Sequence, residues 1–311
     1  MIDARAFAEP LRARIGDRIR VDASLAPFTT FRVGGPADVL VEPESVDDLV
    51  ALADVVGGRV PIAIVGRGSN LLVADGGFRG IAVRLGRAFR DHERLDDGLR
   101  FGGAVSLPAA ARLTARHGLA GFEFAAEIPA TFGGAVRMNA GAHGRSMSDV
   151  LVHADVVDLA SGTTRRIPVS ALGYAYRRSD LGPHELVTSG RIRLEPGDPD
   201  EVASRIAEHI RWRREHQPPG RSAGSVFMNP PGDSAGRLID AVGAKGWSVG
   251  GAEVSAVHAN FVVVSKEATA TDVWTLIRRV YAAVADRFGI DLECEVRFLG
   301  TFSEDEGELE T

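Results

Sequence analysis

Between Gly66 and Gly76 the chain reads GRGSNLLVADG, directly after the apolar run PIAIV. A glycine-rich turn after a short strand is suited to holding phosphate, because a residue without Cβ lets backbone N–H groups approach an anion closely. The dinucleotide fingerprint G-x-G-x-x-G does not fit, since its sixth position here is Leu71 and LLVA reads as strand or loop rather than a helix start. No G-x-x-x-x-G-K-[ST] phosphate loop occurs in the chain. On the motif alone, a plain glycine turn between two strands stays open. A second run rich in small residues, IPATFGGAVRMNAGAHG from Ile128, reads by itself as a close-packed turn.

Composition narrows the field. A net charge of −6 over 311 residues gives no global attraction to nucleic acid or anionic membrane, so phosphate recognition must be local. The single cysteine, Cys294, excludes an internal disulfide framework and a CxxC metal site. With only the carboxylates Glu293 and Glu295 beside it in sequence, it reads as packing rather than as a nucleophile. No apolar run approaches the roughly 18–20 residues of a membrane span, and the start MIDARAFAEPLRARIG is amphipathic, without the apolar core of a secretory signal. A cytoplasmic location is the expectation. With 45% hydrophobic and 25% charged residues, the chain suits two or three lobes with separate cores.

Short strand-like runs occupy the first two thirds, among them DVLVE from Asp38, GIAVRL from Gly80, LRFGGAV from Leu99, ADVVDL from Ala154 and LVTSGRIRL from Leu186. Ser45 with Asp48 caps a helix that stops at Gly57, and Ser106 with Pro108 opens another before Gly118. Ser161-Gly162 reads as a hairpin turn. From Asp200 helices dominate: Val202, Ile206 and Ile210 form one apolar stripe, and a helix N-capped at Thr271 presents Val273, Ile277, Val280 and Val284 before Gly289. A helix in DSAGRLIDAVG and a strand in NFVVVS lie between them. The texture change places a lobe boundary in EPGDPD, residues Glu195 to Asp200. The pattern is α+β layering rather than a repeating βαβ series.

Four segments in order carry a resemblance: FTTFRVGGPAD from Phe28, GRGSNLLVADGGFRG from Gly66, EIPATFGGAVRMNAGAHG from Glu127 and AGSVFMNP from Ala223. YAYRRSDL, GGAEVSAVHANFVV and LECEVRFLG add to it. Over roughly residues 20–300 the chain resembles the UDP-N-acetylenolpyruvoylglucosamine reductase family, in its shorter subgroup lacking the extra substrate loop. The resemblance implies a vanillyl-alcohol-oxidase-type FAD-binding fold of two subdomains plus a C-terminal α+β substrate-binding lobe. The expected divisions are an N-terminal helix (1–20), FAD-binding subdomains (21–87 and 88–197), a substrate domain (198–303) and an acidic, disordered tail (304–311). The implied activity is NADPH-dependent reduction of UDP-N-acetylglucosamine enolpyruvate to UDP-N-acetylmuramate through FAD, by a monomer with no nucleic-acid or membrane partner.

The resemblance also implies site residues. Gly66, Arg67, Gly68, Ser69 and Asn70 become the FAD diphosphate loop, and Gly133, Gly134, Asn139 and Gly141 the second flavin segment. The flavin is expected to be noncovalent, with His143 the one residue of that segment able to tether it. Arg177 is the cation beside the substrate carboxylate, with Tyr176 next to it. Ser225 is the proton donor and Glu295 polarises the enolpyruvyl group. Asn229 holds the UDP diphosphate, His258 reaches the substrate, and no metal is implied. The plain readings are a surface arginine, a turn serine, a glutamate paired with Arg297 and a structural histidine. Lys245 reads as structural. Departures from the family pattern fall at Glu127, Ala130, Phe132, Met228 and Val264, with the bulkier Phe132 expected to tighten the flavin pocket. The competing readings are a paralogous FAD-dependent oxidoreductase of the same fold acting on another substrate, a flavin oxidase on this scaffold, or a flavin-binding protein without catalysis.

Overall fold

The computed structural model describes residues 2–302, so the tail expected at 304–311 lies outside the described residues. By packing, the chain divides into two compact units. One comprises the chain up to Val21, Asp38–Arg67 and Gly80–Arg213, and the other Asp22–Ala37, Gly68–Arg79 and the chain from Arg214.

Helices α1 (Ala8–Ile15) and α2 (Val46–Val56) of the first unit accompany a four-stranded sheet ordered Ile19–Ser24, Pro36–Val41, Phe78–Val83, Ile62–Ile64, at whose strands the division of the chain falls. Their shared core contains Leu11, Val39, Leu49, Leu52 and Ile81. The start and stop of α2 are those expected: the Ser45 hydroxyl accepts from the Asp48 N–H, the Asp48 carboxylate accepts from the Ser45 N–H, and Gly57 ends the helix in the left-handed region. A second sheet is wholly antiparallel and runs Thr164–Pro168, Leu151–Asp158, Glu185–Arg193, Gly98–Gly102, His92–Leu95. The Ser161-Gly162 turn joins its first two strands, with Gly162 at φ 74°.

Against this sheet lie α3 (Leu107–Arg116), α4 (Phe132–Arg137) and α5 (Pro199–His216). Ser106 takes the N-cap position of α3 but makes no side-chain capping bond, Pro108 supplying the helix start. On α5, Val202 and Ile206 are buried and Ile210 packs against the same core, matching the expected stripe. The run around Gly133 is not a bare turn. Thr131 Oγ1 accepts from the Gly134 N–H at 3.1 Å and starts α4. Two glycines in a helix cost about 1 kcal/mol each, and Gly133 is tolerated because close approach demands it. A Cβ there would lie 2.9 Å from the Val187 carbonyl oxygen.

In the second unit, α6 (Ala235–Ala241) and α7 (Ala270–Phe288) pack with an antiparallel sheet of Ser248–Val249, Ala252–Val254 and Val262–Val264. Val273, Ile277, Val280 and Val284 of α7 are all buried, with Phe31, Leu72 and Leu238 in the same core. Each such side chain contributes about 1.5–3 kcal/mol. The N-cap of α7 is Thr269, not Thr271. The Thr269 hydroxyl and Asp272 carboxylate form a capping box, and the chain is already helical at Ala270, one residue before Thr271. Thr271 instead meets Asp75, whose carboxylate accepts from Ala270 N at 2.8 Å, Thr271 N at 2.9 Å and Thr271 Oγ1 at 2.7 Å. Leu71–Val73 pairs in parallel with Arg297–Leu299. Asp75→Ala removes charge-assisted bonds that cap α7 from outside, and a loss of about 2 kcal/mol is expected. A lower urea midpoint with an unchanged slope would record it.

Candidate active site

Within the first unit a cleft of about 290 Å³ opens between the end of Ile62–Ile64, residues 103–106, the start of α4 and the strand segment Leu186–Val187. Ile64, Val65, Leu85, Ala104, Leu186 and Val187 give it apolar walls, and Gly66, Gly103, Gly133 and Gly134 give it exposed backbone. Arg67, Arg84, Arg90 and Arg137 line it as well. A chain of net charge −6 therefore gathers four guanidinium groups against one carboxylate, Glu185, at this cleft, a local positive excess of the kind phosphate recognition requires. Two are held by neighbours: Arg84 pairs with Glu42 at 2.8 Å, and Arg137 donates to the carbonyls of Leu181, Gly182 and Glu185.

Apolar walls, side-chain-free backbone and arginines fit a flavin nucleotide, whose ring is flat and apolar and whose diphosphate is doubly charged. The volume lies at the small end of ligand clefts, about 300–1,000 Å³, so it takes part of a dinucleotide rather than its whole length. Of the expected FAD residues, Gly66, Arg67, Gly133 and Gly134 line this cleft. Gly68, Ser69 and Asn70 fold with the second unit. There Gly68 has φ 58°, and a Cβ on it would lie 2.3 Å from the Phe28 carbonyl oxygen. Asn70 braces the chain: its amide donates to the Glu295 carbonyl at 2.8 Å, and its own carbonyl accepts from Arg297 N at 2.9 Å. Gly141 sits in the hairpin Gly141–Ala142 with Arg145–Ser146.

Asn139 is buried, with φ 42°, and its amide bridges two loops. Oδ1 accepts from Ser148 N at 2.9 Å, and Nδ2 donates to the Ala175 carbonyl at 3.1 Å. That second bond steadies the tight turn bearing Tyr176 and Arg177. Ala175 and Arg178 exchange both backbone hydrogen bonds, at 3.1 and 3.2 Å, so Tyr176 and Arg177 form the corner. Tyr174 donates its hydroxyl to the Val136 carbonyl at 2.8 Å, and Ser179 to the Arg137 carbonyl at 2.6 Å, docking the turn on the end of α4. Burial pushes the Tyr174 phenol above its ordinary pKa, which keeps it a donor. Tyr176 is 58% exposed, and the Arg177 guanidinium lies 5.3 Å from its ring centroid. Arg178 is exposed near Asp180, as a surface arginine would be.

In the second unit the serine and glutamate motifs meet. Glu295 N–H donates to the Val226 carbonyl at 2.8 Å, beside Ser225, and Ser225 pairs with Phe261. Both residues are half-buried. Asn229 is exposed, and its Oδ1 accepts from Ala235 N at 3.0 Å, the first residue of α6. His258 Nδ1 accepts from Asn260 N at 3.2 Å, and burial holds its pKa below the usual imidazole range. Lys245 is paired with Asp240 at 2.9 Å. Cys294 is buried and its thiol is pushed up to about 12 by burial, consistent with packing.

Two departures have clear physical settings. Phe132 does not tighten the cleft: its ring is fully buried in the core, 5.5 Å from Phe101, while its neighbours Thr131 and Gly133 line the opening. Glu127 is buried but paired, with His143 Nε2 at 2.9 Å, and the His143 ring stacks on His209 at 3.9 Å between centroids. Arg84, Arg90, Thr131 and Arg137 were not expected at the cleft. A threonine three residues before Gly134 is an N-cap signal, but the arginines carry no local signature.

Residues 37–168 match the family model of an FAD binding domain, and residues 215–299 that of the UDP-N-acetylenolpyruvoylglucosamine reductase C-terminal domain. The UDP-N-acetylenolpyruvoylglucosamine reductase of Paramagnetospirillum magneticum is 44% identical over 289 residues, covering 92% of this chain and 94% of its own length. The chain belongs to the UDP-N-acetylenolpyruvoylglucosamine reductase family. Another reductase of that name, from Anaeromyxobacter dehalogenans, is 47% identical over 94% of this chain and 88% of its own. The crystal structure of the Thermus caldophilus UDP-N-acetylenolpyruvylglucosamine reductase superposes with a TM-score of 0.79 at 38% identity, covering 91% of this chain and all of that one. The expected α+β FAD-binding fold with a C-terminal reductase-family domain stands on these matches.

Arg177 reaches its corner with φ 57°, a conformation that costs a non-glycine residue of order 1 kcal/mol. Arg177→Gly is therefore expected to hold or raise the melting temperature while abolishing whatever the guanidinium does. Arg177→Ala keeps the strain and is expected to show no such gain, a contrast that calorimetry on the two variants resolves.

Proposed function

We propose that this chain reduces UDP-N-acetylglucosamine enolpyruvate to UDP-N-acetylmuramate with NADPH and FAD, in peptidoglycan precursor synthesis. The observation that carries the reading is the joining of the Ser225 and Glu295 segments by the Glu295 N–H to Val226 carbonyl bond, in a chain of this family. FAD, when bound, would supply two-electron hydride chemistry between NADPH and the substrate. Gly66, Arg67, Gly133 and Gly134 would hold it at the cleft, with Gly68, Ser69, Asn70, Asn139 and Gly141 contributing backbone or supporting bonds. No metal is part of the reading. Residues 21–87 and 88–197 are the proposed FAD-binding subdomains, and residues 198–303 the substrate domain.

Reduction places hydride on C3 of the enolpyruvyl ether and a proton on C2. Negative charge spreads from C2 into the carboxylate as the bond forms, so a cation there stabilises the transition state more than the ground state. Arg177 takes that role, with Tyr176 beside it at the corner of the turn. Ser225 donates the proton: a hydroxyl is a weak acid, but a carbanion or enol at C2 is basic enough to take its proton when the geometry is held. Glu295 polarises the enolpyruvyl group. Asn229 has its Oδ1 committed to α6, which leaves the NH₂ end as the one offering donors to the substrate diphosphate. A His258 kept neutral by burial, with Nδ1 accepting, offers Nε2–H to the substrate. Among the described residues no helix is long and apolar enough to cross a membrane, and a cytoplasmic monomer is the proposed form.

Ser225→Ala separates the two half-reactions. Flavin bleaching by NADPH is expected to stay near normal, while reoxidation by the enolpyruvyl sugar nucleotide slows by about 10² to 10⁴, the range for a lost general acid. Anaerobic stopped-flow absorbance follows both. Normal reoxidation would remove Ser225 from the chemistry, and equal slowing of both halves would mean that the site itself had been damaged.

A further inference from the structure

The segment after Ser225 never enters a regular ladder. It is tied at isolated bridges, Ser225 to Phe261 and Phe227 to Cys294. Asn260, only 3% exposed, supplies what a ladder would. Its main-chain carbonyl accepts from Val226 N at 2.8 Å. Its side chain then uses both ends on one residue: Oδ1 accepts from Phe227 N at 3.0 Å, and Nδ2 donates to the Phe227 carbonyl at 2.8 Å. Three main-chain groups directly following Ser225 thus depend on one asparagine. Asn260 is itself fixed, because its N–H donates to His258 Nδ1.

We propose that Asn260 is a positioning residue for proton delivery by Ser225, its two-ended amide setting the backbone that aims the hydroxyl. The proposal rests on the reading of Ser225 as proton donor. Proton transfer needs heavy atoms within about 2.6–3.2 Å, and a displacement of about 1 Å in a reacting group costs on the order of 10²-fold. Only a side chain with one donor and one acceptor at this spacing satisfies both Phe227 groups. A carboxylate of the same shape satisfies the N–H and repels the carbonyl.

That asymmetry makes Asn260→Asp a chemical test. A protonated aspartic acid donates to the Phe227 carbonyl and accepts from its N–H, so it replaces the amide. The ionised form does not. Burial raises the pKa of such a carboxyl above the ordinary value of about 3.9, so the rescued form dominates at low pH and is lost as pH rises through that value. The neighbouring titratable groups are His258 on the same loop, Lys245, whose charge acts on His258, and Glu293, Cys294 and Glu295 on the facing segment. Reading the variant as a ratio to the parent at each pH removes the titrations common to both chains, and the remaining pH step belongs to the new carboxyl together with the groups coupled to it.

The expected result is a reoxidation rate near that of the parent at acid pH, falling about 10²-fold relative to it by alkaline pH, with flavin reduction by NADPH unaffected throughout. Hydrogen-exchange protection of the Phe227 amide should fall over the same interval. A flat ratio across pH, or equal slowing of both half-reactions, would overturn the proposal. Asn260→Ser, a shorter arm with a donor and an acceptor, serves if the aspartate variant does not fold: selective slowing of reoxidation supports the proposal and equal slowing contradicts it. A slow Ser225→Ala beside a flat Asn260→Asp ratio would sink the Asn260 role alone. A normal Ser225→Ala would sink the proton-donor reading and this proposal together.

Discussion

The parallel pairing of Leu71–Val73 with Arg297–Leu299 is the constraint on which the second unit depends. Its two strands come from distant parts of the chain, and the Asn70 amide that prolongs it reaches a Glu295 carbonyl 225 residues away. Parallel strands need a crossover between them, and here nearly the whole protein is that crossover. One short stretch therefore fixes several things in turn. Asn70 braces the glutamate segment, Leu72 enters the core, and Asp75 caps α7. The glutamate segment in turn bonds the segment that follows Ser225. Losing the pairing would loosen the proposed proton donor and its helix support together. Closing so long a loop before any contact repays it also predicts that this joint forms late in folding.

In the first unit the problem solved is different. An acidic protein must attract a diphosphate without a dinucleotide-type glycine fingerprint or a lysine-bearing phosphate loop. On the proposed reading, that attraction comes from the four arginines that line the cleft around backbone kept bare of side chains. Arg137 also anchors three carbonyls of the loop leading into Glu185–Arg193, so one charge serves both the cleft and its wall. The same α4 region carries the docking bonds for the Tyr176–Arg177 corner. Strain at Arg177 is thereby held by three neighbouring side-chain bonds to main-chain carbonyls rather than by glycine at the turn.

What was legible in the sequence is what local chemistry controls. Ser45 with Gly57, the Ser161-Gly162 turn and the stripe from Val273 to Val284 follow from capping, turn and periodicity rules, and each formed as read. The α7 start was misplaced by two residues because Thr269 and Thr271 are equivalent as caps on paper, and only Asp272 at the third helical position selects between them. Phe132 was assigned to the pocket from its place in a motif, whereas a helical turn rotates it into the core. Arg84 and Arg90 meet the other cleft residues, and Asn260 meets Phe227, only across long stretches of sequence, so no window of residues could announce them. The family itself was legible because several motifs occur in one order, and the comparisons agree with it.

On the proposed function, NADPH is consumed only to reduce an enolpyruvyl sugar nucleotide. The direct measurement is anaerobic NADPH oxidation by the FAD-loaded protein, with and without UDP-N-acetylglucosamine enolpyruvate, while product is followed by mass. One NADPH is expected to be consumed per UDP-N-acetylmuramate formed, with no turnover beyond a single reduction of the flavin when the sugar nucleotide is left out. Sustained NADPH oxidation that needs oxygen and ignores the sugar nucleotide would contradict it.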